Sequence, residues 1–346
     1  MRAAIRPSQD VLDQKLLVIR KSSIVHARVG ALADFFRSED ILVINDAATF
    51  PASLRTVTES GEEVEIRLLP KPHHSTLWTA VLFGRGDWRM RTEDRPPPPR
   101  LGPGALLSVA DLSARVESVS PDSPRLVQLR FIHSDASPEA TWKALYRLAR
   151  PIQYSYLREE LNLWSVQNIY AARPWASEMP SAGHALNWNL ISRLMAKGIR
   201  IRTLTHSTGI SSTGDEQLDS LLPFAEFYEI PERTALAIAE SRAKGGRIIA
   251  VGTSVVRALE SGAIAGGGVV RSGPGETNLV IRAGFERQVA DGILTGIHDL
   301  GESHFRLLEA FADRVTLALA LEEVELRGYL THEFGDSSLI LTEKCR

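Results

Sequence analysis

The sequence predicts an α/β fold, in which a mostly parallel β-sheet with flanking helices carries an inserted antiparallel β-barrel. At both ends of the chain, short apolar runs alternate with helical spacing of apolar residues, which is typical of repeated β-loop-α units. Between them, residues 51–137 form short alternating segments separated by turn residues, which indicates antiparallel strands. A length of 346 residues suffices for two domains. We therefore predict a discontinuous α/β domain of residues 1–50 and 138–346, with a β-barrel domain of residues 51–137.

The first α/β unit holds two strands and one helical pattern. A strand is predicted at Leu16–Arg20, a helix at Val29–Phe36 and a buried strand at Ile41–Asn45. That second strand ends in Asn45 and Asp46. Ligands of open α/β sheets bind outside the carboxyl ends of strands, so these two side chains are candidate ligand contacts. Asn and Asp also form turns, and the sequence leaves that alternative open.

The inserted segment contains six short stretches of alternating polarity. Glycine, proline, serine and aspartate separate them, which favours a small antiparallel barrel or sandwich. The six predicted strands are Ser53–Val57, Glu63–Leu69, Trp78–Phe83, Leu106–Val109, Ala114–Val119 and Leu126–Ile132.

Two segments have a composition that suits contact with RNA. The run Arg95–Arg100 contains four prolines between two arginines, which predicts an extended loop that either contacts phosphates or is simply solvated. The segment Arg150–Ala172 is rich in tyrosine, tryptophan and arginine. It could stack bases or join the two domains, and the sequence does not decide between these.

The second half of the chain begins with another α/β unit. A helical pattern over Leu186–Met195 leads into a strand at Ile199–Leu204, and His206 lies in the loop predicted to follow. A third unit runs from Ala225 through a helix at Pro231–Lys244. Since parallel strands place their carboxyl ends at one edge of a sheet, we expect these loops to face one crevice.

The stretch after this helix is a strand, a glycine turn and a new helix. Arg247–Val251 is short, apolar and β-branched, as expected of a strand that is covered on both faces. Gly252 permits a sharp turn, and we expect Thr253 or the next serine to cap the following helix. Backbone N–H groups at such a helix start bind anions, and Arg257 could reach the same place. An ordinary strand-turn-helix without a ligand remains the alternative.

The last third adds predicted strands, a glycine-rich approach to a histidine and two helices. The strands are placed at Thr277–Ile281 and Phe285–Val289, and the helices near Glu302–Phe311 and Val315–Arg327. Between them, a stretch that starts at Asp291 leads through Thr295 to His298, again suggesting a strand that ends at a site.

Composition excludes several classes of protein. The single cysteine, Cys345, allows no internal disulfide and no cysteine-rich zinc site. No apolar run approaches the roughly 20 residues of a membrane helix, and no apolar signal-peptide core is present. We therefore expect a cytoplasmic protein. We also expect a monomer. A net charge of −2 gives no global attraction to nucleic acid. The sequence has no P-loop, GxGxxG, GxSxG or HExxH motif, and we expect no metal.

Several of these stretches together resemble one family. The most characteristic runs from Val251 to Glu260 and reads VGTSVVRALE. The others are Asp40–Asp46 with Pro51-Ala52, Ile169–Ala171, Pro180–Gly183, Thr205-His206 with Gly209, Asp291–Thr295 with His298, and Phe334–Asp336 with Leu339-Ile340. The chain resembles the S-adenosylmethionine:tRNA ribosyltransferase-isomerases of queuosine biosynthesis from about residue 16 to residue 341.

The resemblance implies an activity and a set of site residues. Such enzymes move the ribosyl part of S-adenosylmethionine onto 7-aminomethyl-7-deazaguanine at the tRNA wobble position, giving epoxyqueuosine and releasing adenine and methionine. The implied partners are therefore tRNA and S-adenosylmethionine, the latter as ribosyl donor. Candidates for proton transfer are His298, His206 and Asp46. Candidates for binding the substrate are Asn45, Gly183, Glu226, Gly252, Thr253, Arg257, Asp291 and Thr295. Each histidine taken alone could instead be a buried structural residue.

Some loops at the inferred crevice depart from the family pattern. The family's Thr-Asn-Phe-His followed by Leu-Pro-Lys is replaced around His298, where Asp299 and Glu302 appear. The histidine expected after Gly183 is one position early, at His184, or lost. Two alternatives therefore remain open: a diverged paralogue that uses S-adenosylmethionine or another nucleoside with a different acceptor, and a non-catalytic nucleotide- or RNA-binding protein.

Overall fold

The structure is a computed structural model that describes residues 1–21, 23–70, 76–132 and 137–342. Cys345 lies outside the described residues. The strands, numbered in chain order, are β1 (Arg2–Ala3), β2 (Lys15–Arg20), β3 (Ser23–Arg28), β4 (Ile41–Asn45), β5 (Ala47–Thr49), β6 (Ser53–Thr58), β7 (Glu63–Leu68), β8 (Trp78–Phe83), β9 (Leu106–Val109), β10 (Leu112–Val119), β11 (Leu126–Ile132), β12 (Arg173–Ala176), β13 (Arg200–His206), β14 (Glu226–Ile230), β15 (Ile248–Val251), β16 (Gly273–Thr277), β17 (Gly292–Gly296), β18 (Leu330–Thr331) and β19 (Ser337–Leu341).

The helices are mostly short. The α-helices are α1 (Pro138–Leu148), α2 (Trp188–Ala196), α3 (Glu216–Asp219), α4 (Glu232–Ala243), α5 (Thr253–Ala265), α6 (Ser303–Leu308) and α7 (Arg314–Leu326). The 3₁₀ helices are Val11–Asp13, Val29–Phe35, Thr92–Asp94, Leu163–Val166 and Ser181–Ala185. Among the described residues, no helix has the length and apolarity to cross a bilayer.

The main sheet has nine strands in the order β16-β14-β13-β4-β15-β17-β19-β2-β3. Its four central strands, β13, β4, β15 and β17, are parallel, and antiparallel pairs join β14 and β19 to them on either side. The predicted α/β fold with an inserted barrel is thus confirmed, with a sheet that is parallel at its centre and mixed overall.

Both faces of the sheet are buried at its centre, where β15 is apolar throughout and β4 is apolar up to its last residue, Asn45. In β4, Ile41 and Val43 face one hydrophobic core, and Leu42 and Ile44 face the other. Helices α4, α5, α6 and α7 supply residues to the first core, while α2 and the 3₁₀ helix Val29–Phe35 supply the second. A strand with two buried faces reads as a continuous apolar run, and this pattern identified β4 in the sequence.

Six strands form a closed antiparallel barrel in the order β10-β11-β8-β7-β6-β9. Alternate residues point inward, as the period of two predicts, and Leu54, Ile66 and Leu129 lie in its buried core. The barrel strands span residues 53–132, whereas the predicted domain boundaries at 51 and 137 stay a prediction. Arg95, expected in an exposed basic loop, is instead buried and paired with Glu65.

Two local predictions were wrong, and a third was right in position but differs in the type of helix. Residues 278–289 form no strand within the described chain; here the carboxylate of Glu260 accepts hydrogen bonds from the backbone N–H groups of residues 288–290, in place of a neighbouring strand. The segment Val29–Phe35 is a 3₁₀ helix. His206 is the last residue of β13, and lies within that strand instead of in the loop after it.

Candidate active site

The carboxyl ends of the four parallel strands meet at one edge of the sheet. β4 ends at Asn45, β13 at His206, β15 just before Gly252, and β17 two residues before His298. The chain passes from β4 to β13 on one side and later to β15 on the other, which creates a topological switch point at β4. Ligands of open α/β sheets bind in the crevice outside such a point. The structure therefore brings these predicted residues to one edge.

The backbone of His206 is fixed by hydrogen bonds at the end of β13, but its ring makes no hydrogen bond within the described chain. Its backbone N–H donates to Asn45 Oδ1, and Asn45 Nδ2 donates to the His206 carbonyl, both at 2.9 Å. Neither ring nitrogen has a hydrogen bond within the described chain, although the residue is fully buried. Burial lowers the pKa of His206 to about 4. The imidazole is therefore neutral near pH 7 and retains a free lone pair.

A buried ion pair lies beside the ring of His206. Arg257, on α5, donates from Nη2 to Glu226 Oε2, and the same oxygen is 3.5 Å from His206 Nε2. The guanidinium Nε of Arg257 is buried without a hydrogen-bond partner among the described residues. Unpaired buried donors are costly and frequently mark the place of a missing polar ligand. The predicted residues His206, Glu226 and Arg257 thus form one cluster.

Asp46 lies next to this cluster and near a second unpaired group. Its carboxylate accepts a 2.5 Å hydrogen bond from the hydroxyl of Thr205. The hydroxyl of Tyr170 is buried and has no partner in the described part of the chain. Burial, and then the charge of Asp46, raise the pKa of Tyr170, which therefore stays protonated and able to donate.

Close packing requires a glycine at position 183. A Cβ atom there would lie 2.0 Å from the hydroxyl of Tyr170 and 2.6 Å from Asn168 Nδ2, so only glycine fits. Its absent side chain allows the 3₁₀ helix Ser181–Ala185 to approach Tyr170. Gly183 therefore shapes the crevice wall, and direct substrate contact by this residue stays a prediction.

Gly252 and Thr253 form the turn into α5 at the crevice. Gly252 has a φ of +92°, a region in which residues with a side chain are strained. It is itself the N-cap of α5, and no side chain caps the helix. The expected capping by Thr253 or Ser254 was wrong because both already lie within the helix. The uncapped N–H groups remain available to an anion.

Asp291 does not belong to this crevice. It precedes β17, so it lies at the amino end of that strand, about 16 Å along the strand from the carboxyl edge. Its Oδ2 accepts a 2.9 Å hydrogen bond from the backbone N–H of Ile248, at the start of β15. Asp291 therefore fastens two parallel strands together at the amino end of β17, and substrate binding by this residue stays a prediction that its position does not support.

The loop after β17 carries a second polar cluster. Thr295 Oγ1 lies 2.9 Å from His298 Nε2, and His298 Nδ1 lies 3.3 Å from Glu302 Oε2. The ring of His304 is 5.0 Å from that of His298, with ring planes 20° apart. Donor atoms of His298, Glu302 and His304 all lie within 4.8 Å of one another, and are the described groups best placed to hold a metal ion.

Sequence reasoning missed Tyr170 and His304 as site residues. Tyr170 was part of a recognised motif, but only the fold places its hydroxyl against Asp46. Glu302 was noticed as an acidic departure. His304 escaped notice because the spacing His-x₃-Glu-x-His matches no common metal motif. Burial, followed by the nearby charges of His298 and Arg257, lowers the pKa of His304 to about 3.

Comparisons with known proteins identify the family of the chain. A family model described as "Queuosine biosynthesis protein" matches residues 1–340. The chain belongs to this family. It is 34% identical to the S-adenosylmethionine:tRNA ribosyltransferase-isomerase of Thermus thermophilus, over 94% of this chain and 92% of that protein. It is 31% identical to the enzyme of that name from Gloeobacter violaceus, over 98% and 92%. The family resemblance seen in the sequence is thus confirmed.

The fold agrees with a solved member of this family. The crystal structure of an S-adenosylmethionine tRNA ribosyltransferase from Thermotoga maritima aligns with a TM-score of 0.53 and 23% identity, covering 98% of this chain and 96% of that one. At this identity the match establishes the fold alone.

Proposed function

We propose that the chain is an S-adenosylmethionine:tRNA ribosyltransferase-isomerase. It transfers and isomerises the ribosyl moiety of S-adenosylmethionine onto 7-aminomethyl-7-deazaguanine at the tRNA wobble position, with loss of adenine and methionine. The observation that carries this proposal is the group of buried, unpaired polar atoms of His206, Arg257 and Tyr170 at the carboxyl edge of the sheet. A polar ligand would satisfy them. We expect a cytoplasmic monomer that needs no metal for this step.

Proton abstraction is assigned to His206. The sulfonium of S-adenosylmethionine acidifies the neighbouring ribose C5′ hydrogens, so a neutral imidazole beside that carbon can start the reaction. Burial keeps the pKa of His206 near 4, so its lone pair is free at neutral pH. The carboxylate of Glu226, 3.5 Å from Nε2, would stabilise the imidazolium once it forms.

The departing groups need partners of opposite polarity. The methionine carboxylate suits the unpaired Nε of Arg257 and the uncapped N–H groups in the first turn of α5, beginning with that of Thr253. The N–H of Gly252 is already used, since it donates to the Leu294 carbonyl at 2.8 Å. Adenine leaves more readily when its ring accepts a proton or hydrogen bonds, which suits the Tyr170 hydroxyl and the Thr205–Asp46 pair. Asn45 and Thr295 act by holding His206 and His298 in place.

The test is adenine release from S-adenosylmethionine, measured with tRNA that carries the aminomethyl-deazaguanine and with the same tRNA lacking it. The proposal requires release only with the modified tRNA. Equal release of adenine with the modified and the unmodified tRNA would contradict the proposal.

A second candidate is a diverged paralogue with a different acceptor. It arises from the acidic side chains of Asp299 and Glu302, which stand in place of a lysine beside the site and repel phosphate; the comparisons favour the first function instead. This candidate predicts binding of S-adenosylmethionine or another nucleoside, with no turnover that depends on the modified tRNA.

A further inference from the structure

We propose that His298, Glu302 and His304 form a divalent-metal site at the mouth of the crevice, of the kind that takes Zn²⁺. This inference departs from the sequence-based expectation that no metal is needed. It does not rest on the proposed function, since it concerns metal binding by the chain itself.

The distance between His298 and Glu302 suits a shared cation better than a direct hydrogen bond. Hydrogen bonds from nitrogen to oxygen are mostly 2.7–3.2 Å long, and shorter when the acceptor is charged. The Nδ1 to Oε2 distance is 3.3 Å. Two ligands of a tetrahedral zinc ion, each about 2.0–2.1 Å from the metal, are about 3.3 Å apart. The two atoms therefore already have the spacing of neighbouring ligands.

The two imidazoles lie close enough to share one ion after a ring turns. The rings of His298 and His304 are stacked, with centroids 5.0 Å apart and planes 20° apart, so their in-plane lone pairs do not yet converge on one point. All three donors lie within 4.8 Å of one another, and rotation of one imidazole about its side-chain bonds is needed to bring them onto one centre. Two histidines and a carboxylate are a ligand set that zinc accepts, with one position left for water or an anion.

The surroundings support a cation. The other ring nitrogen of His298, Nε2, lies 2.9 Å from the hydroxyl of Thr295, and metal-binding histidines are usually held in this way by an outer partner. Asp299 adds a second carboxylate to the loop, and no lysine or arginine lies between Ile297 and Phe305. The charge of Arg257, on α5, also reaches His304, and the two carboxylates of the loop oppose it. A bound cation would place positive charge in this acidic loop, where a carboxylate or phosphate oxygen of a substrate could complete the coordination.

The test uses the purified full chain, stripped of metal with a chelator and titrated with CoCl₂ and then ZnCl₂. Tetrahedral Co²⁺ gives visible absorption bands, and calorimetry gives the zinc affinity. We expect one tight site per chain. Glu302→Gln and His304→Ala should weaken zinc binding by more than the about 10–100-fold that loss of an outer partner costs, and Thr295→Val should fall within that range.

Two controls separate this site from other metal binding. Asp299→Asn removes a nearby charge without removing a ligand, and should keep the bands. Replacement of His73 and His74, which are consecutive in the sequence, by alanine should also keep the Co²⁺ absorption bands. The proposal is overturned if the unaltered chain gives no bands, if Glu302→Gln binds zinc as well as Asp299→Asn, or if the His73/His74 variant loses the metal. A thermal melt shows whether His304→Ala folds. If it does not, the zinc affinity of Glu302→Gln alone tests the proposal, because the Glu302 side chain is partly exposed and its replacement should not disturb the fold.

Discussion

His206 combines complete burial with two unpaired ring nitrogens. Each buried polar atom without a partner costs about 1–3 kcal/mol of stability. A leucine of similar volume would remove that cost. The residue is therefore poorly suited to stability and well suited to chemistry, and these two properties can be measured separately.

His206→Leu should reduce adenine release by about 10²–10⁴-fold, the usual contribution of a positioned acid or base. Its free energy of unfolding should equal or exceed that of the unaltered chain, because unpaired polar atoms are lost. Turnover and urea denaturation measure the two effects.

The matched control is His26→Leu. His26 lies on β3, where Nδ1 is 2.8 Å from the hydroxyl of Tyr329, outside the crevice. Turnover by this variant should not change. If His206→Leu retained turnover within a few-fold, proton transfer would have to be assigned to His298 or Asp46.

Gly183 offers a test of the crevice wall. An alanine there would place Cβ 2.0 Å from the Tyr170 hydroxyl, so Gly183→Ala should destabilise the fold by about 1–3 kcal/mol through overpacking. The double variant with Tyr170→Phe removes the clashing oxygen and should recover part of this loss in denaturant unfolding. A double variant as unstable as the sum of its two single changes would show that the Tyr170 hydroxyl is not the obstacle.

Within the barrel, three charged side chains are buried together. Glu65, on β7, pairs with Arg67 at 2.8 Å and with Arg95. Burial alone would raise the pKa of Glu65, but the two arginines lower it to about 2. Arg67 also lies over the ring of Phe83 at 4.3 Å. The carboxylate of Glu65 is therefore the counter-charge that both buried arginines contact, while Arg95 also donates to the carbonyls of Gly84 and Gly86.

Glu65→Gln should cost about 3–5 kcal/mol of barrel stability, because it leaves buried arginines without a counter-charge. Glu63→Gln, on the same strand, is the control: its contact with Arg85 is 3.7 Å long and exposed, and exposed pairs contribute at most about 1 kcal/mol. Thermal unfolding of both variants tests this. Similar losses for both would contradict a special role for Glu65.

The strands were predictable wherever side-chain period or burial is unambiguous. β4 and the barrel strands were found from their apolar patterns, since the period of two and the doubly buried run are local properties. Strand direction is not local: β14 runs antiparallel to β13, which no pattern of polarity encodes. The segment near Val289 has strand-like composition, but the remote carboxylate of Glu260 takes its N–H groups.

The site was predictable in part because the ends of the strands can be located from local sequence patterns. Asn45, His206 and Gly252 follow or end parallel strands, so topology alone gathers them. Asp291 was misplaced because it precedes its strand. His304 was missed because its closeness to His298 depends on how one loop folds back.

For the whole molecule, several buried groups link stability to pH, among them His206, His304 and Glu65. The pKa of His206 falls from 6.5 to about 4 on folding, so the unfolded chain binds this proton more readily. Stability is therefore lost as pH falls below 6.5, by about 3 kcal/mol once pH reaches 4. The pKa of Glu65 falls from 4.5 to about 2, so its contribution, again about 3 kcal/mol, is lost as pH falls from 4.5 to 2.

We therefore expect stability to decline in two overlapping steps on acidification. Urea unfolding at a series of pH values measures this. His206→Leu should make the step between pH 6.5 and 4 smaller, with the remainder carried by His304, whereas Glu65→Gln should make the step below pH 4.5 smaller. If neither variant altered the dependence of the unfolding free energy on pH, other titratable groups would have to be responsible for that dependence.

The strand order leaves β16 at one end of the nine-stranded sheet. A free strand edge is a template on which another chain can pair and aggregate. β16 has the sequence GPGET: Pro274 lacks a backbone donor, and glycines on either side of it favour strand poorly. The residues that complete the sheet thus also prevent another chain from adding a strand to it. Replacement of Pro274 by a β-branched residue would produce an exposed strand edge that can pair with another molecule.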